Sequence, residues 1–540
     1  MSMIAALAAG CSSDDIIDDG GNNGTNPNGK AFVSLNIVLP STNGTRSQND
    51  NFDQGTANEY NVKTLKITYY KEATGGDVLD TKTYTSADLA WEKPTTTANG
   101  VTTKALLPVE EVAFSGDAWA LVEINPISSG DVTGWAVNPT NEAKKISVKN
   151  LLGGNSMDGF FMTNTVNKDG SYLVQVTSHK TKVDAQNNAG NYNIFVERAV
   201  AKVELNVNNN PAWSDNTYTI PGGNVNAGAK ITLTNWQLDI TNVKLFPIRK
   251  FAGTATGGFD ATDYSRFYGA ADYRTYWAED PNYDKVADTD APFLTITDTT
   301  KIDNKIGSIE YCLENTFNTK FQRQDQTTRA LLQAIYVPQD LASVAGYEPG
   351  TTWYTLGNAT KAYTKDMVAE AIKTALGTDK AIALLEDNLA AGTSEITSNM
   401  FTVDGSEPSV TDIATVKNIL GKITTYKNGK CYYAIRIKHL DYYCPWGDDT
   451  TPTYIANAPE IGGTKYVDYT TGTDVMEKAY LGRYGVVRNN WYKISINTIS
   501  QPGTPTIPEK PETPDDEQKY YLQATINILD WAVRNQSVEL

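Results

Sequence analysis

Histidine is nearly absent. The chain has 540 residues and only two, His179 and His439. General acid–base catalysis and metal binding lean on this side chain, and neither histidine has a nucleophile partner nearby in sequence. Cysteine is also scarce, with four residues (Cys11, Cys312, Cys431 and Cys444). Their spacings match no zinc site. A basic excess is missing too. The formal charge is −17 and the pI is near 4.7, which excludes a protein built to neutralise nucleic-acid phosphates. The acidic balance mainly keeps an exported protein soluble. No phosphate-cradling glycine loop, signature carboxylate pair or clear solenoid repeat is present. The acidic clusters Asp14–Asp19 and Asp515–Glu517 lack the alternating ligand spacing of a calcium loop. The expectation is therefore a protein with no cofactor and no metal, and not an enzyme.

What is present favours β-structure. There are 30 tyrosines and 41 glycines, and turn residues recur at short spacing. At this length two or more domains are expected. The last stretch, Lys519 to Leu540, organises the rest. Leu522, Ala524, Ile526 and Ile528 alternate with polar residues, which is the period of a half-buried strand. The apolar set then shifts by one to Leu529, Trp531 and Val533, as at a bulge or sharp twist. Before it, Pro502, Pro505, Pro508, Pro511 and Pro514 fall on every third residue. That rhythm is the turn of polyproline II, a semi-rigid spacer, and Gln501 to Glu517 could reach roughly 50 Å at about 3.1 Å per residue. Such an arm suits delivery of a strand to another molecule's sheet. The competing reading is a last strand that pairs within its own domain.

The start of the chain has the matching feature. Met1 to Gly10 is a short apolar run, too short to span a bilayer, and Cys11 follows. Leu7-Ala8-Ala9-Gly10-Cys11 resembles a bacterial lipoprotein box in which Cys11 is lipidated. Ser12 to Asp15 resembles the acidic export signal of surface lipoproteins in Bacteroidetes. Asp18 to Gly29 reads as a flexible tether. Ala31, Val33, Leu35, Ile37 and Leu39 then form one apolar strand face, ending at Pro40. In the polar loop behind it, Arg46 is the sole basic residue between Lys30 and Lys63. An exposed arginine there, followed by Ser47, is a site for a trypsin-like protease; an ordinary surface arginine is the competing reading.

Further strands are expected over Val62–Tyr70, Ala118–Ile124, Tyr172–Thr177, Tyr192–Val207, Ile231–Phe246, Ser308–Asn315, Arg329–Pro338, Lys430–Leu440 and Asn489–Ile499. Arg249 to Pro292 reads as an extended surface loop. Helices are expected over Thr364–Leu376 and Lys380–Ala391, with a shorter one over Thr411–Leu420. The implied division is 1–10 signal peptide, 11–46 lipidated propeptide with a removable first strand, 47–200 and 201–500 as two domains, 501–518 spacer, and 519–540 donor strand.

Several motifs, in order, carry a resemblance. Trp119–Asn125, Gly159–Asn164, Val196–Val203, Glu310–Thr316, and above all Tyr484-Gly485-Val486-Val487-Arg488-Asn489-Asn490-Trp491-Tyr492-Lys493-Ile494 resemble the Bacteroidales major fimbrial subunits of the FimA/Mfa type, the type V pilins. The short-fimbria Mfa branch is the nearest. The resemblance implies a mainly β fold of two transthyretin-like β-sandwich domains, with a small helical insert in the second and a C-terminal donor strand. It implies export as an outer-membrane lipoprotein, palmitate on Cys11, and cleavage between Arg46 and Ser47 by an arginine-specific maturation protease. Loss of the first strand would open a groove for another subunit's C-terminal strand. The expected role is a shaft subunit of a cell-surface fimbrium, serving adhesion and biofilm formation. Its partners would be further copies of itself, accessory and anchor fimbrial subunits, and a host or bacterial surface receptor. The alternatives are an accessory or anchor subunit, or a monomeric glycan-binding surface lipoprotein. An extracellular setting admits a Cys431–Cys444 disulfide, and equally a buried unbridged pair. Asp441–Trp446 with Asp448 and Asp449 reads as a packed turn or as an aromatic-acidic binding patch.

Overall fold

The computed structural model describes residues 31–38, 52–53, 55–91, 95–97, 100–102, 104–127, 135, 137–166, 170–188, 192–251, 275–318, 321, 323–377, 379–439, 481–482, 484–512 and 531–539. The fold is mainly β. In chain order the strands used below are β1 (Ala31–Val33), β2 (Asn36–Val38), β3 (Thr64–Glu72), β4 (Gly75–Thr85), β5 (Lys104–Leu106), β6 (Glu110–Val112), β7 (Asp117–Ile124), β8 (Met162–Asn164), β9 (Asn193–Arg198), β10 (Ala201–Val207), β11 (Lys230–Asp239), β12 (Ile309–Cys312), β13 (Arg329–Val337), β14 (Lys430–Arg436), β15 (Asn490–Thr498) and β16 (Trp531–Glu539).

One sheet runs β4-β3-β7-β8-β9-β2-β5. Its apolar side chains fill a core with Leu65, Ile67, Leu121, Ile124, Phe160 and Val196 at its centre. A second core forms between two other sheets. One runs β12-β10-β15-β16 and ends on Phe52–Asp53; the other includes β11-β13-β14. Val203, Leu205, Trp236, Leu332, Ile435 and Tyr492 are buried there. The chain passes between the two cores at Val200–Ala201: β9 serves the first and β10 the second. The buried alternation changes phase across the Ala199–Val200 bend, from Ile194 and Val196 to Val203 and Leu205, and with it the buried face passes from the first core to the second.

Between β13 and β14 the chain makes an excursion with its own core, including Tyr354, Val368, Ile372, Phe401 and Val416. Helix α1 (Lys365–Leu376) starts where the Thr364 hydroxyl accepts the Met367 amide. It ends at Gly377, in the left-handed region at φ 62. Val368 and Ile372, one turn apart, are its buried face. Helix α2 (Val410–Leu420) opens on a capping box between Ser409 and Asp412. The third expected helix, Lys380–Ala391, is not one. Ile382–Leu384 is a strand paired antiparallel with Phe401–Val403, followed by a single 3-10 turn at Glu386–Asn388. A short apolar run satisfies either period, and a partner strand decided it. The excursion is therefore mixed α and β.

Two other expectations are corrected. Arg249–Pro292 is not a surface loop where it is described: Arg249, Tyr276, Trp277, Asp280 and Asn282 are buried. Ala31–Leu39 is not one continuous strand; it breaks at Ser34–Leu35, so that β1 and β2 meet different partners.

Candidate functional site: the first strand, the last strand and the junction

Asn36, Ile37 and Val38 of β2 lie between two neighbours. They pair parallel with Asn193, Ile194 and Phe195, and antiparallel with Leu106, Ala105 and Lys104. Ahead of it, β1 pairs antiparallel with β6, and Phe32 exchanges backbone hydrogen bonds with His179 at 2.8 and 2.7 Å. The strand is thus inside its sheet. Val33, Leu35 and Ile37 are 2%, 1% and 0% exposed. Burying each is worth about 1.5–3 kcal/mol. Losing the strand would orphan the inward backbone groups of both neighbours at once.

The last strand is held differently. β16 pairs parallel with β15, Ala532 facing Asn490 and Val538 facing Ile496. On its other side, among the described residues, it meets Phe52–Asp53, two residues long. So in this isolated subunit the last strand lies in its own sheet, the competing sequence reading. The strand is described over 531–539, later than the alternating stretch suggested. Trp531 and Val533 lie within it, opposite Asp53 and Trp491. Leu522, Ala524, Ile526, Ile528 and Leu529 fall outside the described residues, as do Cys11, Arg46, Ser47 and Cys444.

The proline-rich segment is not a free arm over its described part. Thr504 exchanges backbone hydrogen bonds with Tyr432 at 2.8 and 2.9 Å. Arg329 donates to the carbonyls of Glu509 (2.8 Å) and Pro508 (2.7 Å) while pairing with buried Asp239 at 2.9 Å. Polyproline II has no internal hydrogen bonds, so its carbonyls are open to such donors.

Three of the motifs, Val196–Val203, Glu310–Thr316 and Tyr484–Ile494, come together where the two cores meet. The Arg249 guanidinium binds both oxygens of Glu197, at 2.8 and 2.6 Å, and donates to the Arg488 carbonyl at 3.0 Å. Arg488, 1% exposed, pairs with Glu314 at 3.1 Å and donates to the carbonyls of Pro247 and Phe246. Lys202 pairs with Glu59 at 2.7 Å and lies 3.6 Å from the centre of the Trp491 ring. Burial alone would raise the Glu59 carboxyl. The Lys202 charge, with hydrogen bonds from Lys202 and Tyr311 and the charge of Arg198, outweighs it and holds the carboxyl below its ordinary value. Burial raises Glu197 despite Arg249, and pushes Asp280 up to about 7. Gly485 sits at φ 127, where an added Cβ would stand 2.9 Å from the Asn315 carbonyl oxygen.

This junction is braced rather than reactive. The Tyr492 hydroxyl accepts the Val487 amide at 2.8 Å and shares a hydrogen bond with His439 Nδ1 at 2.7 Å, while His439 Nε2–H points to the Tyr276 carbonyl. His439 is a fully buried core group with both ring nitrogens in hydrogen bonds. Among the described residues no cluster of His, Cys, Asp and Glu could hold a metal ion. Cys431 is buried, its thiol pushed up to about 11 by burial, and Cys312 is buried and raised further; neither is a ready nucleophile. Asp441–Trp446, Asp448 and Asp449 lie outside the described residues. Sequence reasoning missed Glu59, Arg249 and Arg329. Their partners are 143, 52 and 90 positions away, so nothing close by in the sequence reports the pairing.

Residues 464–537 match one family model. Its description is Major fimbrial subunit protein type IV, Fimbrillin, C-terminal. The match contains the Tyr484–Ile494 motif, β15, the proline-rich segment and all of β16 but its last two residues. No curated protein matches the chain. Among solved structures, it is similar to a fimbrilin (fimA) from Porphyromonas gingivalis W83, with 12% identity and a TM-score of 0.33, over 94% of this chain and 96% of that one. It is also similar to a fimbrial assembly protein from Parabacteroides distasonis ATCC 8503, with 13% identity and a TM-score of 0.26, over 62% of this chain and 84% of that one. Likeness at these scores carries no argument about fold or assembly. The fimbrillin C-terminal match carries the comparison.

Proposed function

We propose that this chain is the precursor of a fimbrial shaft subunit that polymerises by strand exchange on the cell surface. Cys11 carries the lipid that delivers the precursor to the outer membrane. A protease cuts between Arg46 and Ser47, and the segment bearing β1 and β2 leaves. The vacated slot, between β9 on one side and β5 and β6 on the other, receives the C-terminal strand of another copy, which restores both ladders by β-augmentation. Head-to-tail contacts of this kind do not close, so they build a filament. The motif pattern is nearest to the Mfa branch, and the two cores would be the two transthyretin-like sandwiches. The pairing of β16 with β15 is then the resting position of the donor strand. The fully buried groups at the junction serve to hold the two halves in one geometry while load passes along the filament.

The fimbrillin C-terminal match over residues 464–537 carries this reading. Burial of the first strand inside its sheet supports it. Replacing Arg46 by Ala tests it: maturation and filaments should be lost, with the precursor still folded. Filaments of unchanged number and length from Arg46→Ala, seen by electron microscopy, would refute cleavage at this site.

A further inference from the structure

The proline-rich segment was expected to be the arm that carries the last strand outward. Its first half is instead fastened to the subunit. The Tyr433 hydroxyl donates to the Gln501 carbonyl at 2.9 Å. Gly503 passes so close to β14 that an added Cβ would stand 2.3 Å from the Tyr432 carbonyl oxygen. Thr504 extends the β14 edge by one antiparallel bridge. Ile507 packs against the small cluster of Ile302, Leu331 and Tyr432. Arg329 then holds two successive carbonyls, and Arg323 pairs with Glu512 at 3.0 Å.

Arg329 is the centre of this arrangement. Its side chain is 5% exposed and fixed by Asp239, which is fully buried. A planar guanidinium held by a carboxylate on one edge can present its other donors in a set direction. Two carbonyls of a chain that makes no hydrogen bonds of its own are a matching target. β14 is also the end of its sheet's path, so the fastened segment covers an edge that would otherwise be open to pairing.

We infer that Arg329, with Gly503 and Arg323, fixes the point at which the donor arm leaves its subunit. The inference rests on the fimbrial reading above. It moves the arm's origin from residue 501 to Glu512. The chain between Glu512 and Trp531 can then span at most roughly 65 Å, against roughly 110 Å if everything after Ile499 were free. Arg329 is a positioning residue: it shortens the tether between neighbouring copies and so narrows their spacing and orientation.

The test uses the full chain, uncleaved and then assembled. Arg329→Ala removes the clamp but leaves Asp239 buried without its partner. Gly503→Val dislodges the segment from the other end without touching that pair. In the uncleaved wild-type protein, hydrogen exchange should show the Thr504 amide protected. Gly503→Val should lose that protection at least tenfold while amides of β11 and β13 keep theirs. Filaments of Gly503→Val should then show a broader spread of subunit repeat by cryo-electron microscopy than wild type. An unprotected Thr504 in the wild type, or a released segment with an unchanged repeat distribution, overturns the proposal. A wild-type chain that keeps Thr504 protected yet never assembles after cleavage refutes the fimbrial reading itself, and the role of the clamp in spacing falls with it.

Discussion

The first and last strands of this chain are held in opposite ways. Ala31 to Leu39 carries one alternating apolar face, whereas Trp531–Glu539 is polar from Arg534 to Ser537. β1 and β2 have paired neighbours, β2 on both sides, and Val33, Leu35 and Ile37 are buried. β16 has one full ladder, a parallel one, and a two-residue contact at its outer side. Parallel pairing is slightly weaker per residue, and an edge strand is the part of a sheet most easily replaced. The contrast suits a division of labour. A strand that completes a core should stay until a covalent cut lets it go. A strand that must move to another molecule should rest where its departure costs little.

The junction offers the largest perturbation of this contrast, because β15 begins there and Glu314 follows β12. Arg488→Ala leaves the Glu314 carboxylate buried without its partner, which should cost about 3–5 kcal/mol in urea unfolding. Both strands should then loosen together. If the precursor instead unfolds with wild-type stability, the junction is not what holds the two cores. Next in size is Ile37→Ala. It removes a fully buried side chain from the first core and should cost about 2–5 kcal/mol. A cost below 1 kcal/mol would mean that the first strand does not complete that core.

These two predictions bear on what the sequence could reveal. The alternation of Ala31 to Leu39 and the isolation of Arg46 were readable directly, and so were most central strands. Thr364 and Gly377 mark the ends of α1 by their own chemistry. The break at Ser34–Leu35 was not legible, because it depends on which neighbours β1 and β2 find. The proline rhythm was read as a free arm, and over 501–512 the segment is fastened to the subunit. Periodicity reports local spacing, whereas docking depends on Arg329, 179 and 180 positions from the Pro508 and Glu509 carbonyls it holds. Lys380–Ala391 failed for a related reason, since Phe401–Val403 supplied a partner that local spacing cannot show.

Removing residues 519–540 takes one parallel ladder from β15 and should cost the subunit less than loss of the first strand, whose β2 is paired on both sides. The same truncation should abolish assembly. A loss as large as that from removing the first strand would mean that the last strand completes its own domain's core, as β2 does.

The smallest effect concerns Glu310 on β12, at the far edge of the sheet that carries β16. Burial pushes its carboxyl up to about 7, against hydrogen bonds from Leu238, Gln237 and Asn304. The folded state then keeps a proton that the unfolded state releases. Stability from this group is full at acid pH and is lost as pH rises from the ordinary glutamate range through 7. Glu310→Gln should flatten the fall in melting temperature between pH 5 and 8 and leave exchange of β16 amides unchanged. A slope unaltered by the substitution would place the titration elsewhere, and faster β16 exchange would show that the two edges of the sheet are coupled.

Treating purified precursor with an arginine-specific protease tests the central claim most directly. The account predicts ladders of multimers that resist SDS, from the full-length chain and not from a chain lacking residues 519–540. Monomer alone after complete cleavage at Arg46, or ladders unaffected by that truncation, would contradict strand exchange as the means of assembly.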